Sequence, residues 1–469
     1  MDAAIYNACK SELISIVGVQ YVLSSVDELA IYLTEETGTY TGKASLVVFP
    51  QNKEQVSAIM RYCNQHSISV TPRGAGTSLA GNAISLNDGV IVVLNSMDKV
   101  LEIDVENHLV TVQPGCIVDS LKNHFDTHGL YYPVDPASSG TSMIGGHVMT
   151  NAAGPRSYKY GSTKNYVRAL ELVLSDGTII QTGTLTEKNS TGYNLTQLIV
   201  GSEGSLGIVT SITLGLVKKP PYNNTVLMSF ESLEDALNTI LLLRNSAVDI
   251  SAIEFIEREA LDIVAKYEGQ AAIAIEDSCA AHLLIELESS NAEAMDHNLS
   301  MLGETMELAT YLNVIVADGS EQKELLWRMR KLIGHAVRHY SVYREVDTVV
   351  PANKMVSLIH QVKSIGEKYG FKSICYGHAG NGNIHVNILK ENISEAQWQI
   401  IQKSAVGEIF DEVIRLGGSL SGEHGIGILN KEFMSKQFSE VELDLMRGIK
   451  KVFDPKGIMN PGKIFPEKG

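Results

Sequence analysis

The chain has no run approaching the ~18 apolar residues of a membrane span. Its start, Met1-Asp-Ala-Ala-Ile-Tyr, has no basic segment followed by an apolar stretch. The expectation is a cytoplasmic protein, at most peripheral to an inner membrane. Cysteine is scarce: five residues, at 9, 63, 116, 279 and 375, with no Cys-x-x-Cys pair. That spacing argues against structural disulfides and against an iron–sulfur cluster held by this chain. Positive charge is also in deficit, 38 Lys and Arg against 54 Asp and Glu, for a net −16. Such a surface disfavours nonspecific nucleic-acid or anionic-membrane binding. Internal repeats and low-complexity tracts are missing too. What is present, 44% hydrophobic and 20% charged residues in 469, is ordinary for a globular protein of two or three domains.

From about residue 45 to 215, short apolar strands alternate with helical stretches. Leu46–Phe49, Ser69–Thr71, Val90–Leu94, Val110–Gln113 and Leu170–Leu174 read as strands, and 54–64 and 118–127 as helices. Ser175-Asp-Gly-Thr178 reads as a hairpin turn. Lys218-Lys-Pro-Pro221 breaks the pattern, because neither proline fits inside a ladder or a helix, and marks a domain boundary. Beyond it, strand 225–230, helix 233–245, strands 251–256 and 281–286, and helix 291–302 suggest a ferredoxin-like α+β cap.

The chemistry concentrates in the C-terminal third. His378-Ala-Gly-Asn-Gly-Asn-Ile-His385-Val-Asn387 is followed by Ser421-Gly-Glu423-His424-Gly. Ile384, Val386 and Ile388 alternate with His385 and Asn387, the period-2 pattern of a half-buried strand, so His385 and Asn387 share a face. Gly377, Gly380 and Gly382 let His378 curl back towards His385. Two imidazoles and a carboxylate suit Zn²⁺, with Mn or Fe as alternatives, and three protein ligands leave a position open for substrate. His378, His385 and Glu423 are the expected ligands, with the flanking glycines turning His424 free to act as a base. Scattered loop histidines are the bland alternative, and clustering beside a strand weighs against it.

The first domain holds three segments rich in small residues. Thr71-Pro-Arg73-Gly74-Ala75-Gly76-Thr77-Ser78-Leu-Ala-Gly81 follows a strand and exposes successive N–H groups able to hold a pyrophosphate. It is not a nicotinamide-dinucleotide fingerprint, since no helix opens there with an acidic residue ~20 positions on. The other two are Pro136-Ala-Ser-Ser-Gly-Thr141-Ser-Met-Ile-Gly145-Gly146, continuing through Asn151 and Gly154, and Gly201-Ser-Glu203-Gly204-Ser-Leu-Gly207-Ile-Val209. Three such segments imply a long ligand lying across the domain.

Together these motifs resemble the FAD-linked oxidases of the vanillyl-alcohol oxidase superfamily. The group in question contains the glycolate oxidase large subunit, D-lactate dehydrogenases and D-2-hydroxyglutarate dehydrogenase. The resemblance runs from about residue 40 to Phe453-Asp-Pro-Lys-Gly-Ile-Met-Asn460-Pro-Gly-Lys-Ile-Phe465. It implies an α+β fold: a two-subdomain FAD-binding domain over 1–218, a substrate (cap) domain over 219–424, and a C-terminal segment, 425–469, returning to the flavin. By the same resemblance Arg73 to Ser78 and Gly81 would hold the FAD pyrophosphate. Pro136, Thr141, Gly145, Gly146, Asn151 and Gly154 would line the flavin, and Glu203, Gly204, Gly207 and Val209 the adenosine end. Asn460 would reach the isoalloxazine. The phosphate loop has no histidine, so non-covalent FAD is expected; His147, the nearest candidate for a tether, is read as structural.

The resemblance further implies oxidation of a D-2-hydroxy acid at the metal, with His424 taking the hydroxyl proton and hydride leaving for the flavin. Arg330 matches the family's carboxylate-binding arginine and Asn387 would orient the substrate, although Arg328 and Lys331 compete with Arg330 on spacing alone. Members acting on 2-hydroxyglutarate carry a hydroxyl residue and a lysine where this chain has Gly334 and Glu345, which favours D-lactate or glycolate. Arg344 is the neighbouring cation that would take the lysine's place. Ala153 replaces a glycine common in the family's flavin loop. Competing readings are a D-2-hydroxyglutarate dehydrogenase, a non-redox flavoprotein similar to alkylglycerone-phosphate synthase, a metal-dependent hydrolase, and a subunit needing an iron–sulfur partner. The electron acceptor would be a quinone, an electron-transferring flavoprotein or such a partner, and a homodimer is compatible with the sequence.

Overall fold

The computed structural model describes residues 2–36, 38 and 40–467. The chain forms two compact units, one of residues 1–153, 162–219 and 423–469, the other of 154–161 and 220–422. The main passage between them falls at Lys219-Pro220, inside the Lys-Lys-Pro-Pro break.

In the first unit, strands Val22–Leu23, Leu46–Val48, Val90–Val93 and Val70–Arg73 lie side by side in that order, and the last three are parallel. Leu46–Val48 and Val90–Val93 are buried on both faces, as apolar runs in a covered parallel sheet should be. Helix Lys53–Gln65 covers them, its first turn capped by the Asn52 side chain accepting from Gln55 N–H. Helix Ala3–Val17, which lies before the family-like region, places Cys9 and Leu13 in the same core. A second, antiparallel sheet runs Val100–Asp104, Leu109–Val112, Ile208–Gly215, Val167–Val173 and Ile179–Gly183. Its last hairpin turns at Gly177, whose φ of +85° is available to glycine at no steric cost. The C-terminal segment belongs to this unit: Val70 N–H donates to Ile458 C=O and Asn460 N–H to Val70 C=O.

The second unit is built on one seven-stranded antiparallel sheet. Its order is Asn313–Val316, Tyr222–Phe230, Ala281–Ser289, Ile250–Glu257, Lys372–Gly377, Asn383–Leu389 and Tyr343–Val349. The ferredoxin-like expectation covers only part of it. Strands 343–349, 372–377 and 383–389 extend the sheet beyond a four-stranded unit. Strand Asn383–Leu389 is buried along its whole length, not half-buried as its alternation suggests. Helices Arg258–Glu268, Gly319–Lys331 and Ile333–Tyr340 pack on the sheet face that carries Ile256, Ile374, Tyr376 and Leu389. That face also carries His385 and Asn387, so its polar residues sit beneath helices rather than in water.

Candidate active site

Residues directly opposite one another in an antiparallel pair share a face. Here Asp347 faces His385, Glu345 faces Asn387, and on the other side of the same strand Tyr376 faces His385. The sheet register therefore assembles two histidine-adjacent carboxylates, an amide and a phenol from three chain segments. Arg344 pairs with Ile388 instead, on the opposite face. It does not take the place of the lysine that Glu345 replaces.

His378 enters from the loop after Lys372–Gly377. Its ring stands 5.4 Å from that of His385 at 88°. The Nδ1 of His378 lies 2.8 and 3.0 Å from the two carboxylate oxygens of Glu254. The Nδ1 of His385 lies 3.1 Å from Glu345 and 3.8 Å from Asp347. The carboxylate hydrogen-bonded at Nδ1 orients the His378 ring, and a carboxylate stands near Nδ1 of His385 as well, which leaves each Nε2 as the atom available to a metal. The residues present thus fit a divalent cation. Arg330, in the last turn of its helix, pairs with Glu254 at 2.7 Å and stacks over Tyr376 at 4.9 Å. Burial would push the Glu254 carboxyl up, but His378 and Arg330 outweigh it and hold Glu254 below the ordinary carboxylate range.

Two of these groups keep polar atoms without hydrogen-bond partners among the described residues: both side-chain atoms of Asn387 and Nε of Arg330. Asn387 is 0% exposed and Arg330 5%. Buried amide and guanidinium groups are almost always satisfied, so such exceptions point to a ligand. Of the competitors, Arg328 is spent on an exposed ion pair with Glu268, and Lys331 is exposed.

Asp347, which sequence reasoning missed, organises the approach to Glu423. One oxygen accepts from Ser421 Oγ and Gly422 N–H, both at 2.8 Å, and the other from Asn383 Nδ2 at 2.8 Å. The peptide leading into Glu423-His424 is thereby fixed. The two side chains do not separate as the glycine turn suggested, since His424 Nε2 lies 3.6 Å from Glu423. On the far side of the loop, Glu203 accepts from Ile426 N–H at 2.7 Å, Gly427 N–H at 2.8 Å and Asn82 Nδ2 at 2.6 Å.

Glu203 was expected at the adenosine end of the cofactor, yet its carboxylate is fully engaged with this loop. Arg73 likewise turns its guanidinium to the carbonyls of Ala83 and Thr34, folding back over Gly76, where an added Cβ would meet it. Asn151, in left-handed backbone with φ +54°, caps its own helix, its side chain accepting from Ser162 Oγ and Lys164 N–H. Gly204 and Gly207 admit no Cβ without meeting Pro72 and Leu172, and Val209 is buried in its strand. Gly154 N–H donates to Ser157 Oγ. Pro136 C=O accepts from Ser139 N–H, and Thr141 closes a turn onto Ser138 C=O.

Several positions remain suited to a cofactor. Gly74, Ala75, Thr77 and Ser78 lie in an irregular, partly exposed segment. Gly81 packs on Ile428, Gly145 on Pro114, and Gly146 faces open space. Asn460 donates to Asn82 and Glu203 carbonyls while its buried Oδ1 has no partner among the described residues. That orphaned acceptor fits a cofactor N–H donor. His147 Nε2 is 2.8 Å from Ser142 Oγ, and burial, with a lesser contribution from Lys122, drops its pKa to about 4.

The family described as "FAD linked oxidases, C-terminal domain" matches residues 219–464, and "FAD binding domain" matches 44–183. The chain belongs to the FAD-linked oxidase family. FAD is its cofactor, and it is an oxidoreductase. Among relatives, it is 34% identical to "D-lactate dehydrogenase" of Anaerostipes hadrus, over 93% of this chain and 91% of that one. It is 33% identical to "D-2-hydroxyglutarate dehydrogenase" of Stutzerimonas stutzeri, over 97% and 98%. It is 32% identical to "Glycolate oxidase subunit GlcD" of Bacillus subtilis, over 97% and 96%. Its fold matches the crystal structure of p-cresol methylhydroxylase with TM-score 0.83 at 17% identity, covering 99% of this chain and 97% of that one. Among the described residues of this FAD-linked oxidase, no helix is long and apolar enough to cross a membrane.

Proposed function

We propose that this FAD-linked oxidase is a dehydrogenase of a D-2-hydroxy acid, with D-lactate or glycolate preferred over a dicarboxylic hydroxy acid. The observation that carries the reading is the pair of buried, incompletely partnered groups, Arg330 and Asn387, in the unit that also holds His378 and His385, each with a carboxylate near Nδ1. A guanidinium binds a carboxylate through parallel N–H donors, and an amide is suited to a hydroxyl. His378, His385 and Glu423 would hold a divalent metal, Zn²⁺ by donor type. When bound, the metal supplies Lewis acidity and non-covalent FAD accepts the electron pair. Arg330 and Asn387 orient the acid, and the Nε2 of His424 receives the hydroxyl proton. Electrons then pass to an acceptor outside the chain.

The choice of substrate rests on charge. Glu254 pairs with Arg330, Glu345 and Asp347 lie beside His385, and Arg344 is on the opposite sheet face. A second carboxylate on the substrate would meet acids where a lysine would otherwise serve it. The relatives include a D-2-hydroxyglutarate enzyme at similar identity, so the two substrates are compared directly. Anaerobic mixing of the yellow protein with D- and L-lactate, glycolate and D-2-hydroxyglutarate should bleach the flavin fastest with D-lactate or glycolate. Bleaching by L-acids alone would overturn the assignment. His424→Ala should retain FAD and lose bleaching by at least ~100-fold; an unchanged rate removes His424 from the mechanism.

A further inference from the structure

The C-terminal helix Glu440–Phe453 turns only Leu443 fully inward. Its outer surface carries Val441 at 72% exposure, Leu445 at 65%, Ile449 at 36% and Val452 at 78%. These positions, spaced i, i+4, i+8 and i+11, form one continuous stripe along the helix. Gly448 lies within the stripe, and a Cβ there would meet nothing. Four large apolar side chains on one exposed stripe mark an interaction surface more than a solvated face.

The pattern along the stripe identifies the occupant. In an antiparallel pairing of two copies, Val441 falls opposite Val452, and near the centre Leu445 falls opposite Gly448, where a large side chain meets the smallest residue. The shoulders agree. Glu440, Asp444 and Lys451 all lie on the same side of the stripe, and in a two-fold antiparallel helix pair each shoulder faces its own copy. Lys451 of one copy then sits between Glu440 and Asp444 of the other. Those two carboxylates already share Arg447 within the helix, at 2.6 and 3.0 Å, which fixes them in place and leaves them net negative. Shape and charge are thus both self-complementary, the requirement of an isologous interface.

We propose that this helix is a homodimerisation surface, packing antiparallel against the same helix of a second copy about a two-fold axis near Met446–Arg447. Placed on the C-terminal segment of the FAD-binding unit, the contact involves none of the residues assigned to substrate or metal. A pair of 14-residue helices, each ~21 Å long, is smaller than a standard interface, so the dimer should dissociate on dilution.

Sedimentation equilibrium of the FAD-loaded full-length protein over a concentration series tests this. Wild type should show a reversible monomer–dimer equilibrium. Leu445→Asp and, separately, Lys451→Glu should weaken it by at least ~10-fold while retaining flavin content and melting temperature, because both positions are exposed. Register is read by cross-linking. The native cysteines are all buried, so mixed Val441→Cys and Val452→Cys proteins should form a disulfide-linked dimer under mild oxidation, whereas either variant alone should not. A wild type that stays monomeric overturns the proposal. So does a dimer indifferent to both surface changes, or equal cross-linking in mixed and unmixed samples.

Discussion

At the scale of single residues, the carboxylates behind the histidines decide what the histidines are able to do. Glu254 is 0% exposed and touches both His378 and Arg330. Replacing it by an amide removes the charge that orients the one and balances the other. Glu254→Gln should lower metal affinity ~10–100-fold, read by competition with a chromogenic chelator. It should also cost about 3 kcal/mol of stability, because Arg330 is left buried without its anion. Metal affinity at the wild-type level would mean that His378 is not a ligand. The histidines themselves, with Asn387 and Glu423-His424, are legible in the sequence because they sit in short glycine-flanked motifs. Glu254 and Asp347 are not, since each lies in an unremarkable strand more than 30 residues from its partner and only sheet register brings them together.

At the scale of elements, glycine placement separates positions that need it from those that do not. An added Cβ at Gly422 would lie 2.5 Å from Asn383 Nδ2 and 2.6 Å from Val349 Cγ2, both packed in the sheet. Gly422→Ala should therefore destabilise by ~1–3 kcal/mol through overpacking and disturb the Asp347 anchor. Gly303, inside helix Ala292–Met306, meets nothing within 4 Å. Gly303→Ala should stabilise by ~0.5–1 kcal/mol. Chemical denaturation of the two variants gives opposite shifts in midpoint, and a shift of the same sign in both would refute the packing argument.

Short-range pattern revealed such elements well: helix 233–245 and the Gly177 hairpin appear where hydrophobic period and turn chemistry place them. The full sheet of the second unit was not legible. Its central strands are buried on both faces, and the pairing of 250–257 with 372–377 joins segments more than 100 residues apart. Likewise nothing local distinguishes Glu203, which braces the Ile426–Gly427 turn, from a glycine-loop residue facing the cofactor.

At the scale of the whole molecule, acid sensitivity follows from one buried neutral histidine in each unit. Burial, its largest cause, depresses both His147 and His282 to about 4 from an ordinary 6.5. For His282, Arg258 adds to the depression. The folded protein therefore binds fewer protons than the unfolded chain between those values. Stability is fully present above ~6.5, falls as pH drops towards ~4, and levels off below that with respect to these two groups. Each contributes on the order of 3 kcal/mol across the window. Melting curves of the FAD-loaded protein from pH 8 to 4 should show a falling transition temperature, with the slope steepest between ~6 and ~4.5. His282→Gln should flatten the decline in the second unit, and His147→Gln in the first. A pH profile unchanged in both variants would show that other groups, such as the depressed Glu254 carboxyl titrating below the ordinary carboxylate range, govern acid unfolding instead.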